Sequence, residues 1–467
     1  MGGVFGVTST SACFKELFYG TDYLSHLGTR RGGLLTHGRE GFNRSIHNIE
    51  NAYFRNKFEP ELEKFSGNKG IGVISDTDAQ PILIRSHLGQ FGVVTVGKVN
   101  NLDALAEKAF ANRQHFAETS GIGINPSELV ARLICNEDSF EAGIRRAQEM
   151  VEGSCSLLLL TEKGMYAARD RLGRTPLIIG KNEDGYAVTS ETCAFPNLGY
   201  SIEREIGPGE VMFITEEGFE QRTPPGDRMQ VCSFLWVYYG YPASVYEGRS
   251  VEDVRYRCGR ALAAEDNVEV DFVSGIPDSG IGHAIGYAME REIAYKRAFV
   301  KYTPTWPRSF MPQNQSIRDL VARMKLIPVK ALIEGKRILF CEDSIVRGTQ
   351  LKGNVQILFD YGAREVHMRP ACPVLVYPCE FLNFSTSRST LDLAGRKAIK
   401  TLEGSEDVDL QTYAASGSEK NLAMIEEIRK TLRLSSLKFQ KMEDLVGAIG
   451  LPKERLCTHC WDGSSYF

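Results

Sequence analysis

Residues 338–351, ILFCEDSIVRGTQL, constrain this chain more than any other stretch. Ile338, Leu339 and Phe340 form a short apolar run of strand type. Two adjacent carboxylates follow, Glu342 and Asp343, and then a small polar turn containing Ser344, Val346, Arg347, Gly348 and Thr349. The next residues, LKGNVQILFDYGA, have helical spacing. A strand that feeds a Gly/Ser/Thr turn opening a helix presents backbone N–H groups and a helix N-terminus to an anion, as a phosphate site requires. The paired acids suit the other end of a sugar phosphate, because carboxylates accept from hydroxyls and hold divalent cations. On these residues alone, an acidic exposed turn between a strand and a helix remains the alternative.

Several function classes are excluded by bulk properties. The net charge of −4 carries no basic surplus of the kind a nucleic-acid binder shows. No run of about 18 apolar residues occurs, so no membrane span is expected. The N-terminal MGGVFGVTSTSACF lacks the basic region and apolar core of a signal peptide, and the expected location is cytoplasmic. Eleven cysteines in that compartment do not read as a disulfide framework. Cys155, Cys193, Cys341 and Cys372 sit in apolar surroundings and are expected in the core. Cys457 and Cys460 form a C-T-H-C beside Trp461 and stand apart from that pattern.

With 467 residues, two cores are expected. Up to about residue 225, strand-like runs such as GVVTVGKV and SCSLLLLT alternate with Gly-rich turns, and SELVARLI and FEAGIRRAQEMV are helical by spacing. That half reads as a layered sheet sandwich. RTPPGDRMQ (222–230) marks the boundary, giving domains 1–228 and 229–467. Beyond it, helix and strand alternate through VEDVRYRCGRALAAE, VDFVSGIP, IGHAIGYAMERE, AFVKY and RILFCE. The overall class is α/β, with a mainly parallel sheet in the second half.

The 338–351 run resembles the phosphoribosyl pyrophosphate (PRPP) loop of type I phosphoribosyltransferases, and its SIVRGT is similar to that of the glutamine PRPP amidotransferase family. The family has two Asp where Glu342 and Asp343 stand, and a second Thr where Gln350 stands. GIPDSG (275–280) resembles the family's pyrophosphate loop. The resemblance implies that Asp278, Ser279 and Gly280 bind PRPP and that Ser279, Glu342 and Asp343 hold Mg²⁺. KYTPTWPRSFMPQNQSIRDLVARMKL (301–326) resembles the flexible loop and the segment behind it. The matching residues are Lys301, Arg308, Ser309, Phe310, Arg323, Met324, Lys325 and Leu326, with Arg308 and Lys325 implied as catalytic cations. Pro304, Pro307 and Pro312 stiffen this loop.

Some members carry a 4Fe–4S cluster, and Cys232, Cys379, Cys457 and Cys460 match its four cysteines. Four thiolates from distant segments suit Fe–S or zinc.

The first half resembles the class II, Ntn-type glutamine amidotransferases through GGVFG (2–6), MYAARDRLGRTPLIIG, VTSETCAF and IGPGEVMFI. The implied fold is an Ntn-hydrolase-like four-layer sandwich ahead of a type I phosphoribosyltransferase fold. The reactive residues depart from the family. Gly2 stands where the nucleophilic Cys belongs, and Cys13 is out of register to replace it. Leu27 and Val73 stand for arginines, Lys98 for an oxyanion amide donor, and Pro126 for an Asp. Arg30, Arg31 and Lys98 leave positive charge nearby.

The expectation is therefore an enzyme that binds Mg·PRPP and transfers phosphoribosyl to ammonia. It would give 5-phosphoribosylamine and pyrophosphate in purine biosynthesis, without glutamine hydrolysis. A PRPP-binding regulatory or assembly subunit and a different amine acceptor are the alternatives. The family implies a homo-oligomer, a tetramer, with an active glutaminase partner as one source of ammonia.

Overall fold

The computed structural model describes residues 2–120, 123–302, 325–382 and 389–464. Arg308, Ser309, Phe310, Arg323, Met324 and the three loop prolines lie outside them.

The amino lobe is built on two antiparallel sheets. One has seven strands, in the order Ser201–Glu205, Ile178–Lys181, Gly185–Thr189, Gly3–Ser9, Lys69–Ser75, Arg31–Gly38 and Gly41–Asn48. The other has six, in the order Phe219–Thr223, Val211–Ile214, Met165–Ala168, Gly153–Leu160, Gly89–Val99 and Ile82–Ser86. Side chains alternate along each strand, and the layers follow from that period. Leu158 and Leu160 meet Val4, Val73 and Val96 between the sheets. Leu157 and Leu159 face the other way, onto Leu129, Ile134 and Ile144 of helices Pro126–Cys135 and Phe140–Met150. Phe5 and Val7 pack on Leu17 and Phe18 of helix Phe14–Asp22. The result is helix, sheet, sheet, helix: the four-layer Ntn-hydrolase arrangement. Asn125 starts the first outer helix by accepting from Ser127 N at 2.9 Å, with Pro126 in the first turn.

The carboxyl lobe holds a four-stranded parallel sheet, Phe272–Gly275, Arg337–Glu342, Glu365–Pro370 and Ser436–Leu437. Its central strand is buried on both faces. Ile338 and Phe340 enter one core with Val366 and Met368, and Leu339 and Cys341 enter another with Val273. That is why its sequence is a continuous apolar run rather than an alternation. Helices Val251–Ala264, Gly280–Arg291 and Thr349–Asp360 connect and cover the sheet.

One expectation is corrected. AFVKY does not join the parallel sheet. Phe299–Lys301 pairs antiparallel with Leu326–Pro328 as a separate ribbon flanking residues 302–325. Three residues of strand type carry too little pattern to specify a partner.

Within the carboxyl lobe, Val231–Cys232 pairs in parallel with Leu456–Cys457. Between the lobes, the buried Glu191 of the amino lobe accepts from Ser244 Oγ at 3.0 Å, from Tyr246 OH at 2.7 Å and from the Tyr241 amide. Among the described residues, no helix is long and apolar enough to cross a membrane.

Candidate functional site

Parallel strands place their carboxyl ends on one edge, and here two loops meet on it. The peptide N–H of Ile276 donates to Cys341 O at 3.0 Å, which lays 276–280 against 341–343. Ser279 Oγ then donates to Asp343 Oδ2. Ser344 Oγ donates to Asp343 Oδ1 at 2.5 Å, so the Asp343 carboxylate is gripped on both oxygens. Glu342 Oε1 accepts from the Asp343 amide at 3.2 Å. Burial, and then the Asp343 charge beside it, push the Glu342 carboxyl well above the usual range. Two acids and a hydroxyl on one edge, with a proton favoured on one acid, form an oxygen donor set suited to a hard divalent cation.

The turn that follows is shaped for its helix. Gly348 has φ of 72°, a left-handed conformation that a side chain would strain, and caps Thr349–Asp360. Val346 O accepts from Ala394 N at 2.7 Å, and Arg347 lies 3.8 Å from Asp392. Thr349 is exposed at the first turn. On the other loop, Gly280 opens helix Gly280–Arg291, and a Cβ there would lie 2.4 Å from Cys341 O. Asp278 accepts from Lys301 Nζ. Lys325 lies across the ribbon from Tyr302, its carbonyl accepting from Tyr302 N at 3.0 Å. The structure thus gathers Ser279, Glu342, Asp343 and Ser344 tightly, with Asp278 and Lys301 as a second pair. Arg308 is outside the described residues.

Two residues that sequence reasoning passed over support this edge. Buried Arg255 donates through Nε to Trp236 O at 3.0 Å, and through Nη2 to Gly240 O at 2.8 Å and Tyr238 O at 3.1 Å. His283, on the helix that starts after Ser279, donates through Nε2 to Val237 O at 3.2 Å. Both fix the same turn, Leu235–Tyr239. Burial, and then the Arg255 charge, lower the His283 pKa to about 3. Only the unfolded chain binds this proton between its ordinary pKa near 6.5 and about 3, so stability falls with pH across that window. The expected slope is about 1.4 kcal/mol per pH unit, checked by urea unfolding between pH 7 and 4.5. His283→Gln should flatten it.

The four predicted cysteine ligands converge. Strand pairing sets Cys232 opposite Cys457. The Cys460 thiol contacts Cys379 and interacts with Cys457 and Cys232. Cys379 Sγ accepts from Leu382 N at 3.4 Å. Burial first, then the neighbouring thiols, push the Cys232 thiol well up. Among the described residues, no three His, Cys, Asp or Glu side chains close around a point as one metal ion requires. A cluster differs, because each thiolate binds a different iron and the sulfurs stand further apart. Four thiols brought together, with those of Cys232, Cys457 and Cys460 pushed up by burial and by their neighbours, are a soft donor set that fits such a group.

A Cβ on Gly2 would lie 2.6 Å from Ile74 O and 3.3 Å from Val96 Cγ1, so the strand leaves no room for a side chain. Leu27 is buried, 2.8 Å from where a Cβ on Gly3 would stand. Val73 lies between the sheets, and the contacts with Gly2 come from Ile74 and Ser75 instead. Lys98 is in the strand, paired with Ser154. Arg30 is exposed, 3.6 Å from Glu50. Cys13 is fully buried, and burial pushes its thiol up to about 12, which keeps it protonated.

A family model described as a glutamine amidotransferase domain matches residues 69–197. An amidophosphoribosyltransferase of Methanocaldococcus jannaschii is 31% identical over 99% of this chain and 97% of its own length. That of Bacillus subtilis is 32% identical over 96% of this chain and 89% of its own. A solved glutamine PRPP amidotransferase from B. subtilis, complexed with ADP and GMP, superposes with a TM-score of 0.85 at 29% identity, covering 99% of this chain and 96% of that one.

Proposed function

The chain belongs to the amidophosphoribosyltransferase family, and from that premise we propose that it binds Mg·PRPP and transfers the phosphoribosyl group to free ammonia. The products are 5-phosphoribosylamine and pyrophosphate, a step of purine biosynthesis in the cytoplasm. The observation that carries this reading is the Ser279–Asp343 bond, which joins the two strand-end loops beside Glu342. Ser279, Glu342 and Asp343 would hold Mg²⁺ there, and the ion would supply positive charge to the pyrophosphate leaving group. Asp278, Gly280, Ser344, Val346, Arg347, Gly348 and Thr349 cradle the phosphates. Lys301, Arg308 and Lys325 offset charge on the leaving group. Neutral ammonia needs no strong base.

We divide the chain into an amino lobe of residues 1–228 and a carboxyl lobe of 229–467, and assign Cys232, Cys379, Cys457 and Cys460 to a structural 4Fe–4S cluster. The amino lobe does not hydrolyse glutamine, because the place of its nucleophile is closed as well as empty. Ammonia comes from solution or from a glutaminase-competent partner. Steady-state pyrophosphate release with PRPP, Mg²⁺ and ammonium tests the first half of this reading. Binding of PRPP without pyrophosphate release would instead assign a regulatory or assembly subunit. For the second half, glutamate release from glutamine is expected at background in the native chain and equally in Gly2→Cys. That variant should also lose about 1–3 kcal/mol to overpacking.

A further inference from the structure

We propose that Arg174, carried by the amino lobe, is the built-in counter-charge of the four-cysteine site in the carboxyl lobe. The proposal rests on the cluster reading above and gives the inactive lobe a continuing task.

Arg174 lies in the turn after strand Met165–Ala168 and is 1% exposed. Its carbonyl accepts from Cys232 N at 3.2 Å. Its Nη2 donates to Gln230 Oε1 at 3.1 Å and its Nη1 to Gly153 O at 3.3 Å. The guanidinium carbon sits 3.6 Å from the centre of the Phe381 ring. Gln230 and Phe381 each stand two residues from a cysteine of the set, Cys232 and Cys379. The side chain also reaches the Cys457 thiol. A carbonyl, a side-chain amide and an aromatic face hold the planar fork rigidly. Four thiolates on an iron–sulfur core are net negative. Enclosed among Trp461, Phe234 and Leu456, that charge is costly unless a cation is fixed beside it. Arg174 is so fixed, and it reaches the site across the lobe boundary. It is a positioning and charge-setting residue, with no part in the transfer reaction.

The test uses the full chain, reconstituted anaerobically with iron and sulfide. Native protein, Arg174→Met and Arg174→Lys are compared for iron per chain, rate of iron loss to a chelator, and cluster midpoint potential. Arg174→Met should lose iron about tenfold faster, as outer-shell partners typically dictate. Its potential should shift downward, because the reduced cluster loses a compensating cation. Arg174→Lys should recover most of the potential. A fold support alone would leave the potential unmoved, so native potential and native iron loss in Arg174→Met overturn the proposal. If Arg174→Met does not fold, Phe381→Leu is read instead. Faster iron loss there supports the proposal, and an unchanged rate overturns it. A native chain that takes up no iron and sulfide sinks the cluster reading itself, and this inference with it.

Discussion

Asp343→Asn should lower kcat/KM for pyrophosphate release by about 10²–10³-fold, with the fold intact. The expectation comes from geometry. Asp343 is the carboxylate on which Ser279 and Ser344 both converge, and it is 6% exposed. Asparagine has nearly the same volume, so packing around Ile345 and Cys341 is retained. It cannot supply the negative charge that the proposed Mg·PRPP site needs, and transition-state charge stabilisation of this kind is worth about 10²–10³ in rate. The loss should fall on kcat as well as KM, because leaving-group charge develops only as the bond breaks. Ser279→Ala, which removes one donor and keeps both acids, should cost less. Steady-state kinetics across a Mg²⁺ titration separates the two. A variant Asp343→Asn with native kcat at saturating Mg²⁺ would remove this residue from the site.

Glu191→Ala should destabilise the protein by about 3–5 kcal/mol, because it strands buried hydrogen-bonding groups from both lobes. Glu191 is fully buried. His26 Nε2 lies 2.6 Å from it on one side, and Ser244, Tyr246 and the Tyr241 amide donate from the other. Burial alone would raise its pKa, but His26 and these donors outweigh burial and hold it below the usual carboxylate value. A depressed acid contributes stability above its unfolded pKa and loses it as pH falls through its folded one. Acid unfolding of the native chain should therefore steepen below the ordinary glutamate range, and Glu191→Gln should be less sensitive there. Urea unfolding at pH 7 gives the first quantity. A loss below about 1 kcal/mol would mean the junction relaxes around the gap.

Much of the candidate site's local structure was legible in the sequence. An apolar run ending in Glu342–Asp343 and a Gly348 turn leading into a helix each carry their own local pattern, and the structure keeps all three. Ser279 was legible by resemblance, and its bond to Asp343 joins residues far apart in sequence. Other features had no local signal. Period-two strands make register fragile, so Val73 turned out to face the inter-sheet core while Ile74 and Ser75 meet Gly2. Arg174, Glu191 and Arg255 are charged residues, which by default lie at the surface. Only the packing of distant segments shows them buried, so composition and spacing could not single them out. The exclusion of a side chain at Gly2 by Ile74 O is also a tertiary fact.

The parallel pairing of Val231–Cys232 with Leu456–Cys457 has a consequence for biogenesis. The two segments stand at opposite ends of the carboxyl lobe's sequence, so the earlier one waits for almost the whole lobe to emerge from the ribosome. Until then an apolar backbone edge and a thiol are bare to whatever is near. Co-translational maturation of this lobe must end with that late zippering, and a nascent chain stalled before Leu456 should depend on chaperones.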